Sequence, residues 1–202
     1  MPRRCLGSND RRFLRGASSI VGVDEVGRGC LAGPVAVCAV RFDAIPRQPL
    51  IQDSKALTAR QREEAAEWVL RSCADWLVLE VWVELIDRLN ILQAVVLAMR
   101  TCVRALAEPG AVVVVDAVEL DGERPAIHAP VGADASFFSV AAASVVAKVH
   151  RDRLMVELDG RNPGWGWRQN KGYGTAEHRR ALAEVGRSYL HRKTFRWSPV
   201  IR

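Results

Sequence analysis

SIVGVDEVGRGCLAGPVAVCAVRF, residues 19–42, decides the architecture. Its two halves, Ser19 to Val26 and Val35 to Phe42, are short valine-rich apolar segments on either side of a glycine-rich turn, and they read as paired strands. The first half closes on two acids, Asp24 and Glu25, just ahead of Val26-Gly27-Arg28-Gly29. A second valine run, AVVVVD at 111–116, is continuously apolar and ends in Asp116, the pattern of a buried central strand. WLVLEVWV at 76–83 alternates as a half-buried strand does. Thr58 with Gln61 three residues on forms a capping box that predicts a helix over the ARQREEAAEWVLRSC that follows. The spacing of Leu89, Leu92, Val96, Met99 and Val103 predicts one helix from Leu85 to about Ala107, ended by Pro109-Gly110. Around 136–159 a small-residue-rich helix carries Val140, Ser144, Lys148 and Arg151 along one side, and Thr175 caps a last helix ending near Gly186. The order is that of one α/β domain, residues 18–202, with a C-terminal helical and basic extension. Residues 1–17 form a basic N-terminal arm of the kind that is often disordered.

The composition, 49% hydrophobic and 26% charged over 202 residues, excludes a disordered or collagen-like chain. No apolar run is long enough to span a bilayer, and no apolar core precedes a small-residue cleavage site. The expectation is a soluble, cytoplasmic protein with no membrane partner. The five cysteines form no CxxC pair and the four histidines have no zinc-ligand spacing with them, which argues for reduced thiols and against a structural zinc. Charge is uneven: residues 1–15 carry net +4, residues 16–150 net −5 and residues 151–202 net +7. An acidic body between basic ends suits a polyanion held around carboxylates; from charge alone, a solvated surface with a loose tail is the plainer reading. Lys is scarce, four of 29 basic residues, at positions 55, 148, 171 and 193.

Acids stand in three telling places: Asp24-Glu25 at the end of the first strand, Asp116 after the valine strand, and Asp134 just before the small-residue helix. Buried acids are costly unless paired with charge or metal, and hard divalent cations prefer carboxylate oxygens. Read singly, each acid is also accounted for as a cap or turn residue. Adjacent strand residues face opposite ways, so Asp24 and Glu25 share a site only at a strand end or bulge, and Gly27 suits such an irregular end. Gly27-Arg28-Gly29 permits close backbone approach and offers a cation to a phosphate or sugar; an ordinary hairpin turn is the plainer reading. Neither a Walker loop nor a GxSxG elbow is present.

VGVDEVGRGCLAGPVAVCAV at 21–40 resembles the opening motif of the ribonuclease HII family. The likeness continues in family order through QDSKALT (52–58), LNILQAVVLAM (89–99), VVVVD (112–116), SVAAASVVAKVHRD (139–152), KGYGTAEH (171–178) and HRKTF (191–195). The intact GRG favours this family over ribonuclease HIII. The resemblance implies an RNase H-like fold, a mixed five-stranded sheet with flanking helices and a C-terminal helical part. It implies that Asp24, Glu25, Asp116 and Asp134 are catalytic and hold two Mg²⁺ or Mn²⁺ ions. Gly27, Arg28 and Gly29 would then contact a ribose 2′-hydroxyl, Tyr173 would stack on the neighbouring sugar, and Lys55, Ser144 and Lys148 would meet phosphates. The implied substrates are RNA–DNA hybrids and duplex DNA containing ribonucleotides. These would be cut by a monomer on the 5′ side of the ribonucleotide, leaving 5′-phosphate and 3′-hydroxyl ends.

The sequence departs from the family pattern in places. Ala117-Val118 follows Asp116 where Gly-Asn is common, Ser136 stands where Lys is frequent, and Cys30 replaces a common Pro. Trp165-Gly166-Trp167 reads as packing, with base stacking the second possibility. No clamp-binding peptide is evident after Phe195. Two other readings stand beside the nuclease: a non-catalytic nucleic-acid binder on the same fold, and a broader nuclease or integrase-like phosphotransferase indifferent to ribonucleotides.

Overall fold

The computed structural model describes residues 6–46, 51, 57–120 and 126–198; Lys55 lies outside the described residues. Strand β1 (Ile20–Val26) pairs antiparallel with β2 (Val35–Phe42), from Ile20 opposite Phe42 to Val26 opposite Ala36. The helix after Thr58 is α2 (Ala59–Ser72), and the Thr58–Gln61 capping box is formed. Strand β3 (Asp75–Val81) adds antiparallel to the outer edge of β2. On the other side β4 (Val112–Val115) runs parallel to β1, and β5 (Ala126–His128) parallel to β4. The result is a mixed five-stranded sheet in the order β3-β2-β1-β4-β5.

Strand alternation sorts the core into two layers. Ile20, Val40, Phe42, Val112 and Val114 pack on one face, against α2 and the long helix α5 (Phe138–Arg161). Val21, Val23, Val37, Ala39, Val113 and Val115 pack on the other, against α4 (Ile91–Leu106). At Gly22 the sheet and α5 touch backbone to backbone: a Cβ there would sit 2.1 Å from the Ser139 carbonyl carbon.

Two expectations change. The single helix over 85–107 is two, α3 (Val83–Leu89) and α4, bent by 114° at Asn90. Asn90 takes a left-handed φ of 69°, and its side-chain oxygen accepts from the N–H groups of Leu92 (3.0 Å) and Gln93 (3.1 Å). Asparagine is a strong N-cap that tolerates this backbone, so it starts a new helix inside an unbroken apolar period.

The expected loose arm is also corrected, over residues 6–17. Helix α1 (Ser8–Phe13) docks on the body, and the buried Asp10 carboxylate accepts from the N–H groups of Phe138 (2.8 Å) and Ser139 (2.9 Å). That carboxylate caps the positive end of α5, whose own N-cap residue, Phe137, has no capping side chain. Phe13 completes the dock by stacking on His128 and Phe137.

The chain ends in a short helix α6 (Trp167–Asn170) and α7 (Ala176–Val185), capped by Thr175 as expected. Trp165 and Trp167 stack on each other with ring centroids 5.2 Å apart, and Trp167 is fully buried, so the pair is packing. Among the described residues no single helix is long and apolar enough to cross a membrane, and the four described cysteines are free thiols.

Gly22→Ala should cost about 3 kcal/mol or more, because the added methyl meets backbone that cannot move without shifting α5. Urea unfolding of the variant against the parent measures it; a loss under 1 kcal/mol contradicts the close approach.

Candidate active site

Strand β1 stays regular through Val26, so Asp24 and Glu25 do not occupy a bulge. They share a site because β1 outruns its parallel neighbour. The β1–β4 ladder ends at Val23 and Val115, and Asp116, its N–H on the Val23 carbonyl (3.4 Å), turns off beside the exposed end of β1. Asp24 and Glu25 each feel the charge of Asp116. Burial pushes the Asp24 carboxyl up to about 7, opposed by a hydrogen bond from Ser144 and reinforced by the Glu25 charge. Burial raises Glu25 as well, with Arg28 pulling it down across a 3.4 Å ion pair.

The turn after Asp116 bears on the sequence departure there. Ala117 holds a left-handed φ of 50°, so the turn keeps a shape suited to glycine without one. The Asp116 Oδ1 accepts from the Ala133 N–H at 2.9 Å, which pulls the 3-10 turn Ala133–Ala135 against the acid group. Asp134 is the next residue after that bond and is half-buried. Ser136 closes the turn by donating its hydroxyl to the Gly132 carbonyl (3.0 Å), carrying no charge.

Beside the acids lies a cavity of about 420 Å³. Glu25, Gly27, Arg28, Gly29, Ser144, Lys148 and Tyr173 line it, together with Arg62 of α2, which no motif singled out. Lys148 pairs with Asp152 (2.9 Å) and stands 5.7 Å from the centre of the Tyr173 ring; Arg151 is 5.8 Å from it. The Tyr173 hydroxyl is hydrogen-bonded to the buried Cys30 thiol, which in turn donates to the Lys171 carbonyl. Ser144 faces Asp24 as well as the cavity.

Tyr173 is tied from behind through its carbonyl, which accepts from His178 Nδ1 at 2.9 Å. His178 Nε2 faces His191 Nε2 (3.0 Å) and receives the Trp167 indole N–H (3.3 Å). The Ser188 N–H donates to His191 Nδ1 (2.9 Å), so the neutral His191 ring keeps its proton on Nε2 and donates it to His178. Burial lowers both histidines, and the His178 charge adds to it at His191, which is pushed down to about 4. His178 and Arg192 stand inside the quoted motifs KGYGTAEH and HRKTF, yet nothing local in the sequence marks their partners.

The carboxylate group suits a hard divalent cation. Glu25 Oε2 is buried without a hydrogen-bond partner among the described residues, and three acids repel one another in a partly dry site. As placed, no three ligating side chains among the described residues converge into a ready-made ion cage. Asp24, Glu25 and Asp116, with Asp134 next in sequence to the Ala133 amide that Asp116 holds, are the residues that could hold such an ion.

The ribonuclease HII family profile matches residues 21–198. The chain belongs to the ribonuclease HII family. It is 48% identical to the ribonuclease HII of Paracoccus denitrificans over 89% of this chain and 86% of that one. It is 47% identical to that of Halorhodospira halophila over 93% and 96%. Its fold matches the crystal structure of the ribonuclease H2 from Pyrococcus horikoshii with a TM-score of 0.74 at 26% identity, covering 88% and 93%. The mixed sheet and its helices are thus the RNase H-like fold, and the protein is a type HII ribonuclease H, a hydrolytic nuclease.

The shifted groups act oppositely on stability. The histidines are held below their ordinary 6.5, so between pH 6.5 and about 4 the unfolded chain binds protons that the native one does not. Stability should therefore fall with pH across that window, by at most about 1.4 kcal/mol per unit for each ring. Urea unfolding at stepped pH checks this, and the decline should be shallower in His191→Gln. Asp24 is raised instead, so its ionised form costs stability above about pH 7 and the cost fades as pH falls toward 3.8. Asp24→Asn in chelator at pH 8 should be more stable than the parent by about 1 kcal/mol or more, with the gap narrowing at lower pH.

Proposed function

We propose that this ribonuclease HII hydrolyses the RNA strand of RNA–DNA hybrids and incises duplex DNA on the 5′ side of an embedded ribonucleotide, leaving 5′-phosphate and 3′-hydroxyl ends. The observation that carries the reading is the junction of two groups at the end of β1. Three mutually repelling carboxylates lie beside a cavity formed by Gly27, Arg28, Gly29, Lys148 and Tyr173.

Each part has a task that its chemistry suits. Asp24, Glu25, Asp116 and Asp134 would hold Mg²⁺ or Mn²⁺, which when bound supplies an activated water and stabilises the leaving oxygen. Ser144 orients Asp24 by its hydrogen bond, and Arg28 restrains Glu25. The 2′-hydroxyl is the group that separates RNA from DNA at one sugar, and the glycine-flanked loop lets backbone N–H groups reach it. Tyr173, about two-fifths exposed and held at its carbonyl and hydroxyl, offers its ring to the adjoining sugar. Lys148 and Arg62 give the cavity cations for the flanking phosphates.

A duplex with one ribonucleotide, given Mg²⁺ or Mn²⁺, should be cut once on its 5′ side. An all-DNA duplex and the Asp116→Asn variant should give no product. Tyr173→Ala should retain folding and lose about tenfold or more in rate, and binding should weaken steeply with salt. Salt-sensitive binding without cleavage in either metal would make the protein a binder, and equal cutting of plain DNA would make it a general nuclease.

A further inference from the structure

Arg151 and Arg192 are fully buried, and among the described residues neither makes an ion pair. Their donors go to backbone carbonyls. Arg151 reaches Pro34 (2.8 Å), Lys171 (2.8 Å) and Ala32 (3.3 Å). Arg192 reaches Gly27 (2.7 Å), Arg28 (2.8 Å) and Gly33, the last through two nitrogens at 2.9 and 3.2 Å. Burying a charge this way is costly, and apart from the Arg151 bond to Lys171 it is spent on the loop of residues 27–34.

The geometry of that loop shows what it gains. In a trans peptide the carbonyl and the following N–H point in opposite directions. With the Gly27 and Arg28 carbonyls both drawn inward to Arg192, the N–H groups of Arg28 and Gly29 face the opposite side, where the cavity beside Tyr173 lies. Gly27 takes a φ of 96° in this arrangement, and a Cβ there would lie 2.0 Å from the Arg151 Nε. Successive amides on one side form a concave receptor for an oxygen.

Arg192 is itself fixed. Its N–H donates to the Leu31 carbonyl (2.9 Å), its guanidinium lies 4.9 Å from the Phe195 ring centre, and Asp87 of α3 accepts from the next two N–H groups. A planar fork serves three carbonyls at set angles, which an ammonium cannot do.

We propose that Arg192 is a positioning residue for ribonucleotide discrimination: it holds the Gly27 and Arg28 carbonyls so that the Arg28 and Gly29 amides present a fixed receptor to the ribose oxygen. The inference rests on the function proposed above. Its test compares dissociation constants, in chelator, of a duplex with one ribonucleotide and the same all-DNA duplex, for the parent, Arg192→Lys and Arg192→Gln. The parent should prefer the ribonucleotide duplex, and both variants should lose about tenfold of that ratio. A purely structural role would lower thermal stability and leave the ratio of the folded protein unchanged, which overturns the proposal.

Hydrogen exchange on the parent is the second arm and needs no variant to fold. The Arg28 and Gly29 amides should be protected more by the ribonucleotide duplex than by DNA, and equal protection overturns the proposal. A parent with no preference at all overturns the proposed function with it; a preference that both variants keep overturns only the role of Arg192.

Discussion

The backbone contact between β1 and α5 at Gly22 fixes the position of everything above it. With Ser139 seated on Gly22, the helical repeat brings Ser144 to Asp24, then Lys148 to the cavity, then Arg151 beneath Gly27. One missing side chain thus indexes a helix of 24 residues on the strand that carries two of the acids. Asp10 secures the same helix at its N-terminal end by capping the amides of Phe138 and Ser139.

Charge is divided by function within this frame. Acids gather where the parallel ladder stops, because a strand that outruns its neighbour leaves room for side chains from both of its faces. Cations approach from α2, α5 and the glycine loop, and two of the arginines point inward to carbonyls instead of outward to ligand. Carboxylates are left partly uncompensated while the loop is held stiffly. A stable fold therefore coexists with a site that gains from binding positive charge.

Much of this was legible in the sequence. Valine runs and a capping box placed β1, β2, β4 and α2, and the motif likeness named the acids, GRG and Tyr173. What stayed hidden was non-local. Asp10 caps residues 128 and 129 positions away, and Arg192 reaches carbonyls more than 150 positions back, so no window of sequence contains both partners. Asn90 was local yet overlooked, because the apolar period runs through it while its side chain restarts the helix. Strand β5 has three residues, too few for a pattern.

Ala117 carries a further meaning. An L-residue in the left-handed region pays roughly 1–2 kcal/mol that glycine would not. Its N–H on the Pro130 carbonyl and the Asp116–Ala133 bond keep it there. The carboxylate after β4 is therefore mounted on a loaded spring. Its aim is preserved by ties from the neighbouring loop against the backbone's own preference.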